Sequence, residues 1–540
     1  MRQREADAPR AADRRDAAAW ASAIALLVLV PVGLVSGDGL LYAEQVARGA
    51  SWNSNHLLLE PLTAAWCRLT AAAGMTRPIV DQMRLASVLA AALSAGLFRW
   101  GVARRLAERR GGANWMTAWL VLRAAFAHSI VADEMHMLRM PVLVAFAIGV
   151  LRLLERPSRG RALAAGAAIG AAGLLFIADA LFALSCAAAL AVLHAREREP
   201  RRAIIVSGGV LAGAAAVAGV GHVLAWSLLR PGRSLVDWLL TYAGAYGSAR
   251  VPLLFGIRWT PEGIAEAAAR TMYGSANVLV DLAPAVAAAR DRGAWGPAAT
   301  IALLWTAGAL VLGFGLARAL GRAREDRAAR DILVLQWIWW PPVVAFALWW
   351  NDSSSQFYLP LALAIAILPA PIARGGRLGT ALLGCGAAVL AWNASDVLRR
   401  SIRYPRAERI AALEGETAGA GLLVLPGWDE AACLVTLSPS LSGVARIDLA
   451  PLAVAAAPAD GLAQIETAIA SWLAAGGRVE LIDLYDVPPS RPPWKALRAL
   501  GWERSDLHRA LGAYPVDASS RRAGPFTVRS IRAAASAPAR

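Results

Sequence analysis

Asp38 directly follows an apolar block at residues 19–36, in the run Gly37-Asp38-Gly39-Leu40-Leu41-Tyr42. A carboxylate at a membrane–water boundary is partly desolvated, which raises its pKa and makes it a stronger base. Tyr42 lies four residues on, so a helix starting near Gly39 presents it on the same face. Capping that helix is an equally available role for Asp38, and one side chain can do both. The same segment continues to His56 and Glu60, and Asp133-Glu134-Met135-His136 forms a second acidic group between two apolar blocks. The carboxylates Asp133 and Glu134 suit acceptor binding or a divalent cation, and equally a solvated loop. His136 reads as well as a helix-end residue. Arg48, Arg139, Arg250 and Arg258 are candidate partners for a departing anion, a task that bidentate guanidinium fits. Headgroup contact is the competing role for each of them. Asp179 is an acid inside an apolar stretch, which is costly unless it is used or lies in a turn at the boundary.

The elements that must position these residues are membrane helices. Of the 540 residues 57% are hydrophobic and 17% charged, against about 25% charged in an ordinary soluble chain. The apolar residues come in blocks long enough to cross a ~30 Å hydrocarbon layer as helices. The blocks fall near 19–36, 83–103, 115–131, 137–154, a half-length pair within 162–193, then 203–228, 296–317, 331–349, 357–373 and 377–394, making about eleven spans. The linkers holding Arg104 to Arg110, Arg152 to Arg161, His194 to Arg202, Arg318 to Arg330 and Arg374 to Arg377 all fall on one side if the N-terminus is cytoplasmic. That rule places residues 37–82, 132–136, 229–295, 350–356 and everything after 395 outside. The net charge of +16, carried by arginine with Lys495 the sole lysine, is therefore orientation charge, and nucleic acid is not an expected partner.

The fold class expected is a membrane all-α, polytopic bundle over residues 1–396 with a small extracytoplasmic α/β domain over 404–519. A disordered tail is expected over 520–540. Within the domain, Leu422–Pro426 and Arg478–Leu484 read as strands and Ile465–Leu473 as an amphipathic helix. Cys67, Cys186, Cys385 and Cys433 have no metal or disulfide spacing, and no cofactor is expected. Tryptophans such as Trp226, Trp337 and Trp349 fit interfacial belts.

With Asp38, Tyr42, Gly49 and Asn55-His56-Leu57-Leu58-Leu59-Glu60-Pro61-Leu62 in place, the chain resembles the C-type (GT-C) membrane glycosyltransferases, the group of protein mannosyltransferases and aminoarabinose transferases. The group's His-Pro-Pro-Leu-like stretch lacks its proline pair here. Its glycine-rich span is similar to Gly166–Asp179 but ends in Ala178-Asp179 instead of Thr-Lys. Its Arg-Tyr-x-x-Pro stretch is similar to Gln356-Phe357-Tyr358-Leu359-Pro360, with Gln for Arg. The resemblance implies an inverting transfer of a sugar from a polyprenyl-phosphate donor to a lipid, glycan or protein acceptor outside the bacterial inner membrane. Asp38 would be general base and Asp133 and Glu134 would assist. Tyr42, His56, Glu60, His136, Arg139, Arg258, Gln356 and Tyr358 would bind substrate, with no metal site. A carrier or flippase of a lipid-linked substrate, or a membrane scaffold with a sensor domain, are the alternatives. A carrier predicts an internal repeat, and no second half resembles the first.

Overall fold

The computed structural model describes residues 2–30, 32–33, 39, 42–43, 46, 56–75, 77–107, 109–131, 135–229, 232, 234–240, 260–261, 264, 293, 295–349, 358–373, 376–427, 429–488, 494–499 and 501–532. Two compact units are present. A helical unit takes in residues 1–32, 46–235 and 257–402. An α/β unit takes in residues 33–45, 236–256 and 403–540.

In the helical unit, α1 (Arg2–Ala25) is followed by α2 (Leu59–Ala72), α3 (Ile79–Leu97), α4 (Arg110–Val121), α5 (Ala124–Val131) and α6 (Met140–Glu155). Then come α7 (Arg159–Leu175), α8 (Leu181–Arg196), α9 (Pro200–Ala214), α10 (Trp295–Arg322), α11 (Arg327–Trp349), α12 (Leu359–Ile367) and α13 (Gly376–Ile402). Among the described residues, five helices are long and apolar enough to cross a membrane: Ile79–Ala107, His136–Glu155, Ile177–Arg196, Pro200–Leu229 and Arg327–Leu348. This is the pattern of a multi-pass membrane protein.

The block expected as one span over 115–131 is instead two helices, α4 and α5, with the chain leaving helical geometry at Leu122–Arg123. The buried guanidinium of Arg123 sits 5.9 Å from the Trp119 ring. The expected first span is also cut short. Helix α1 begins in the polar N-terminus and gives way at Leu26 to a 3₁₀ turn. That polar stretch is held by charge: Asp13 and Asp16 pair with Arg99 of the π-helical stretch that continues α3, and with Arg104 and Arg110.

The half-length pair expected within 162–193 is the hairpin α7–α8. Helix α7 packs so closely on α9 that a Cβ at Gly166 would lie 2.1 Å from the Val210 carbonyl oxygen. One at Gly213 would lie 2.2 Å from that of Leu163. Small residues permit such backbone approach where lipid gives little drive for helix association. The close packing fixes the end of α7, where the chain turns.

In the α/β unit, five strands form one sheet in the order β2-β1-β3-β5-β4, with β1 Leu422–Leu425, β2 Ala445–Asp448, β3 Val479–Ile482, β4 Arg521–Ala523 and β5 Phe526–Ile531. The first three are parallel, as the crossovers through α14 (Glu430–Leu437) and α15 (Pro458–Ala474) require. Strands β1 and β3 are buried throughout, as expected for strands covered on both faces. Strands β4 and β5 correct the expectation of a disordered tail from 520. Phe526, Val528 and Ile531 are buried, and β5 pairs antiparallel with β3. The Ala- and Arg-rich flanks hid this short alternation. Residues 533–540 lie outside the described residues.

Candidate functional site

The turn at the end of α7 gathers several of the residues singled out by type and position. Helix α7 ends at Leu175. Phe176 takes an extended conformation, and Ile177–Ala180 make a 3₁₀ turn into α8. Onto this turn fold two other segments. The chain entering α2 is fastened by Leu58 N–H donating to the Leu174 carbonyl (2.9 Å) and by the His56 ring at Nδ1 to that of Leu175 (3.2 Å). The 3₁₀ turn His136–Arg139 ahead of α6 supplies the rest. Met135, which starts that turn, has φ +57°, a left-handed conformation uncommon for a residue with a long side chain. Its sulfur accepts from Thr63 of α2 at 2.8 Å.

Phe176 is the hub. The His56 ring stacks on it at 5.3 Å, the His136 ring meets it edge-on at 6.0 Å, and the Arg139 guanidinium lies 4.5 Å over its face. The two histidine rings are 5.5 Å apart. Arg139 Nη1 donates to Asp179 Oδ1 at 3.0 Å, and both side chains are almost fully buried. Asp179 Oδ2 has no hydrogen-bond partner among the described residues. Glu60, in the first turn of α2, is fully buried.

Burial holds the His56 imidazole down to about pKa 4, and the Arg139 charge adds to this, while its bond to the Leu175 carbonyl opposes it. The ring is therefore neutral near pH 7. With Nδ1–H given to the carbonyl, Nε2 presents a lone pair. The cluster thus offers a cation, two imidazoles and a carboxylate in a low-dielectric setting, a combination suited to holding an anion and hydroxyl groups together.

Of the residues expected at the site, His56, Glu60, His136 and Arg139 belong to the helical unit, and His56, His136 and Arg139 converge on Phe176. Tyr358 is buried at the start of α12 within the helical core. Tyr42 is buried and belongs to the α/β unit. Asp38, Asp133, Glu134, Arg258 and Gln356 lie outside the described residues, as do Arg48 and Arg250. Two members were not on the expected site list. Asp179 carried a signal, an acid in an apolar run, whereas Phe176 carried none.

In the α/β unit, Asp483 accepts from the Thr527 backbone N–H (2.7 Å) and hydroxyl (3.0 Å), and Asp486 takes both arms of Arg529 (2.8 and 2.6 Å). Both are structural.

Among the described residues, one trio could hold a cation: His194, Glu197 and Glu199, with ligand atoms within 4.8 Å of one another. It sits at the far end of α8, roughly 20 Å from Asp179 along the helix. Arg202 and Arg330 already pair with its two carboxylates.

The fold is similar to that of solved structures of two other proteins. One similar structure is ArnT from Cupriavidus metallidurans bound to undecaprenyl phosphate, at 13% identity, TM-score 0.51, covering 95% of this chain and 96% of that one. Its apo form matches at 14% identity and TM-score 0.50, with the same coverage. The Archaeoglobus fulgidus oligosaccharyltransferase, in complex with zinc and sulfate, matches at 13% identity and TM-score 0.50, over 92% of this chain and 71% of that one. No family model matches the sequence, and no curated protein matches it.

Proposed function

We propose that the protein is an inverting membrane glycosyltransferase, taking a sugar from a polyprenyl-phosphate donor to an acceptor outside the inner membrane. The observation that carries this reading is the convergence of His56, His136 and Arg139 with Asp179 at one helix end, in a fold shared with ArnT. The acceptor is a lipid, glycan or protein hydroxyl. Asp38 removes its proton as the oxygen attacks the anomeric carbon, and the bond from that carbon to the phosphate oxygen breaks. The polyprenyl phosphate leaves with its electron pair, and its charge is met by Arg139, aided by Arg258. His56, Glu60 and His136 hold sugar hydroxyls, while Asp133 and Glu134 orient the acceptor. Tyr42, Gln356 and Tyr358 are further substrate-binding residues on this reading.

About eleven spans, with the N-terminus cytoplasmic and the α/β domain periplasmic, would put all these loops on the outer side. The reading calls for no metal or other cofactor. The test is transfer from radiolabelled polyprenyl-phosphate sugars into a cell-envelope extract by membranes containing the protein, with the product's anomeric configuration read by NMR. Labelled product of inverted configuration is expected. Retained configuration would contradict direct attack aided by Asp38.

A further inference from the structure

At the opposite, arginine-rich end of the helices is a cavity of about 440 Å³ lined by Arg105, Arg152, Glu155, Arg156, Arg161 and Arg327. Five guanidinium groups against one carboxylate leave the lining at +4. From these groups we infer a binding site for a phosphate-bearing anion, supplied as the headgroup of an anionic membrane phospholipid.

Three observations carry it. First, the arginines converge from separate elements and some are already held in place. Arg161 donates to the Arg152 and Arg156 carbonyl oxygens (3.4 and 2.9 Å), and Arg105 pairs with Glu155. The guanidinium groups of Arg152 and Arg156, by contrast, have no hydrogen-bond or ion-pair partner among the described residues, so two cationic groups are available beside fixed ones. A positive side chain that only orients a helix needs no such convergence.

Second, the local helix end has the wrong sign for its neighbours. Helix α7 starts Arg159-Gly160-Arg161 behind the neutral cap Ser158, with no acid in its first turn. The positive end of the helix and two arginines therefore add, and an anion relieves both. Asp331, 3.9 Å from Arg327, offsets only part of the charge.

Third, the depth is that of a headgroup. Ile79–Ala107 and His136–Glu155 end here and Arg327–Leu348 begins here, so the cavity sits where apolar helix surface gives way to polar loops. Basic pockets between helices at that level take lipid phosphates. Phosphodiester oxygens suit forked guanidinium donors.

The experiment follows the unfolding temperature of the full-length protein in neutral detergent. Additions are short-chain phosphatidylglycerol, phosphatidylcholine with the same chains, or inorganic phosphate. Phosphatidylglycerol is expected to stabilise the protein more than phosphatidylcholine. The Arg152→Gln/Arg156→Gln pair should weaken apparent phosphatidylglycerol affinity roughly ten- to thirtyfold. Arg152→Lys/Arg156→Lys should recover part of it, which guards against a folding defect. Arg201→Gln/Arg322→Gln, on the same side outside the cavity, should respond like wild type. Equal responses to the two lipids, or a wild-type response from the double glutamine variant, would overturn the site. An arginine-dependent shift with inorganic phosphate equal to that with phosphatidylglycerol would overturn the lipid source.

Discussion

Glu480 of the α/β unit and Asp179 of the helical unit are both almost fully buried, but their surroundings differ. Both Glu480 oxygens are taken, by Arg478 (2.6 Å), Arg521 (2.7 Å) and the Ser530 hydroxyl (2.8 and 2.9 Å). Asp179 has one cation on one oxygen, and its other oxygen has no hydrogen-bond partner among the described residues. A buried polar group left open costs free energy, so folds close such groups unless a site requires them. Closed networks in the α/β unit therefore hold that sheet together. The open one sits among histidines, where a ligand can be held. On this account the open carboxylate of the helical unit serves a ligand, and the closed network around Glu480 serves the sheet.

The sharpest way to break the contrast is to open the closed network. Glu480→Ala removes the buried partner of Arg478 and Arg521, whose guanidinium groups are partly exposed, and should destabilise the α/β unit by about 2–3 kcal/mol. Chemical denaturation read by the unit's tryptophans would measure this, and a change under about 1 kcal/mol would contradict a structural role. Removing both charges of the open pair should do the reverse. Arg139→Gln/Asp179→Asn, which leaves no unpaired buried charge, should lower transfer about 100-fold. Its unfolding temperature should stay near that of wild type.

The third prediction concerns pH. Burial raises the Asp429 carboxyl to about pKa 7, with the Asp483 and Asp448 charges adding and the bond from Ala432 N–H opposing. A folded pKa above the unfolded value of about 3.9 means the protonated form favours folding. That contribution is complete below about pH 4 and is lost as pH rises through 7. Asp429 also caps its helix by accepting from Ala432 N–H at 3.0 Å. Asn keeps a cap, so Asp429→Asn should stabilise the protein at pH 8 by about 2 kcal/mol and flatten its stability between pH 4 and 7. An unchanged slope in thermal scans across that range would refute the assignment. The smallest effect is expected at Asp486. Its pair with Arg529 is partly exposed, so Asp486→Asn should cost about 1 kcal/mol or less.

How much of this the sequence carried varies with the kind of residue. Apolar length revealed the long helices, and polar residues between apolar blocks marked His56, Glu60, His136 and Arg139. Asp179 was visible as an acid in an apolar run. Its pairing with Arg139, 40 residues away, depends on the hairpin folding back. Phe176 looks like any aromatic in an apolar stretch, and only the turn at Leu175 makes it the hub. The break at Leu122–Arg123 has neither proline nor glycine to mark it. Strands β4 and β5 were hidden because three to six residues of alternation do not stand out among arginine and alanine.

The central claim is tested most directly at Asp38. Wild type, Asp38→Asn and the stability control Asp486→Asn would be compared at equal expression for transfer from polyprenyl-phosphate sugar into cell-envelope acceptor. The account predicts transfer by wild type and Asp486→Asn, and a loss of about 100-fold or more in Asp38→Asn. Transfer by Asp38→Asn at the wild-type rate would contradict it.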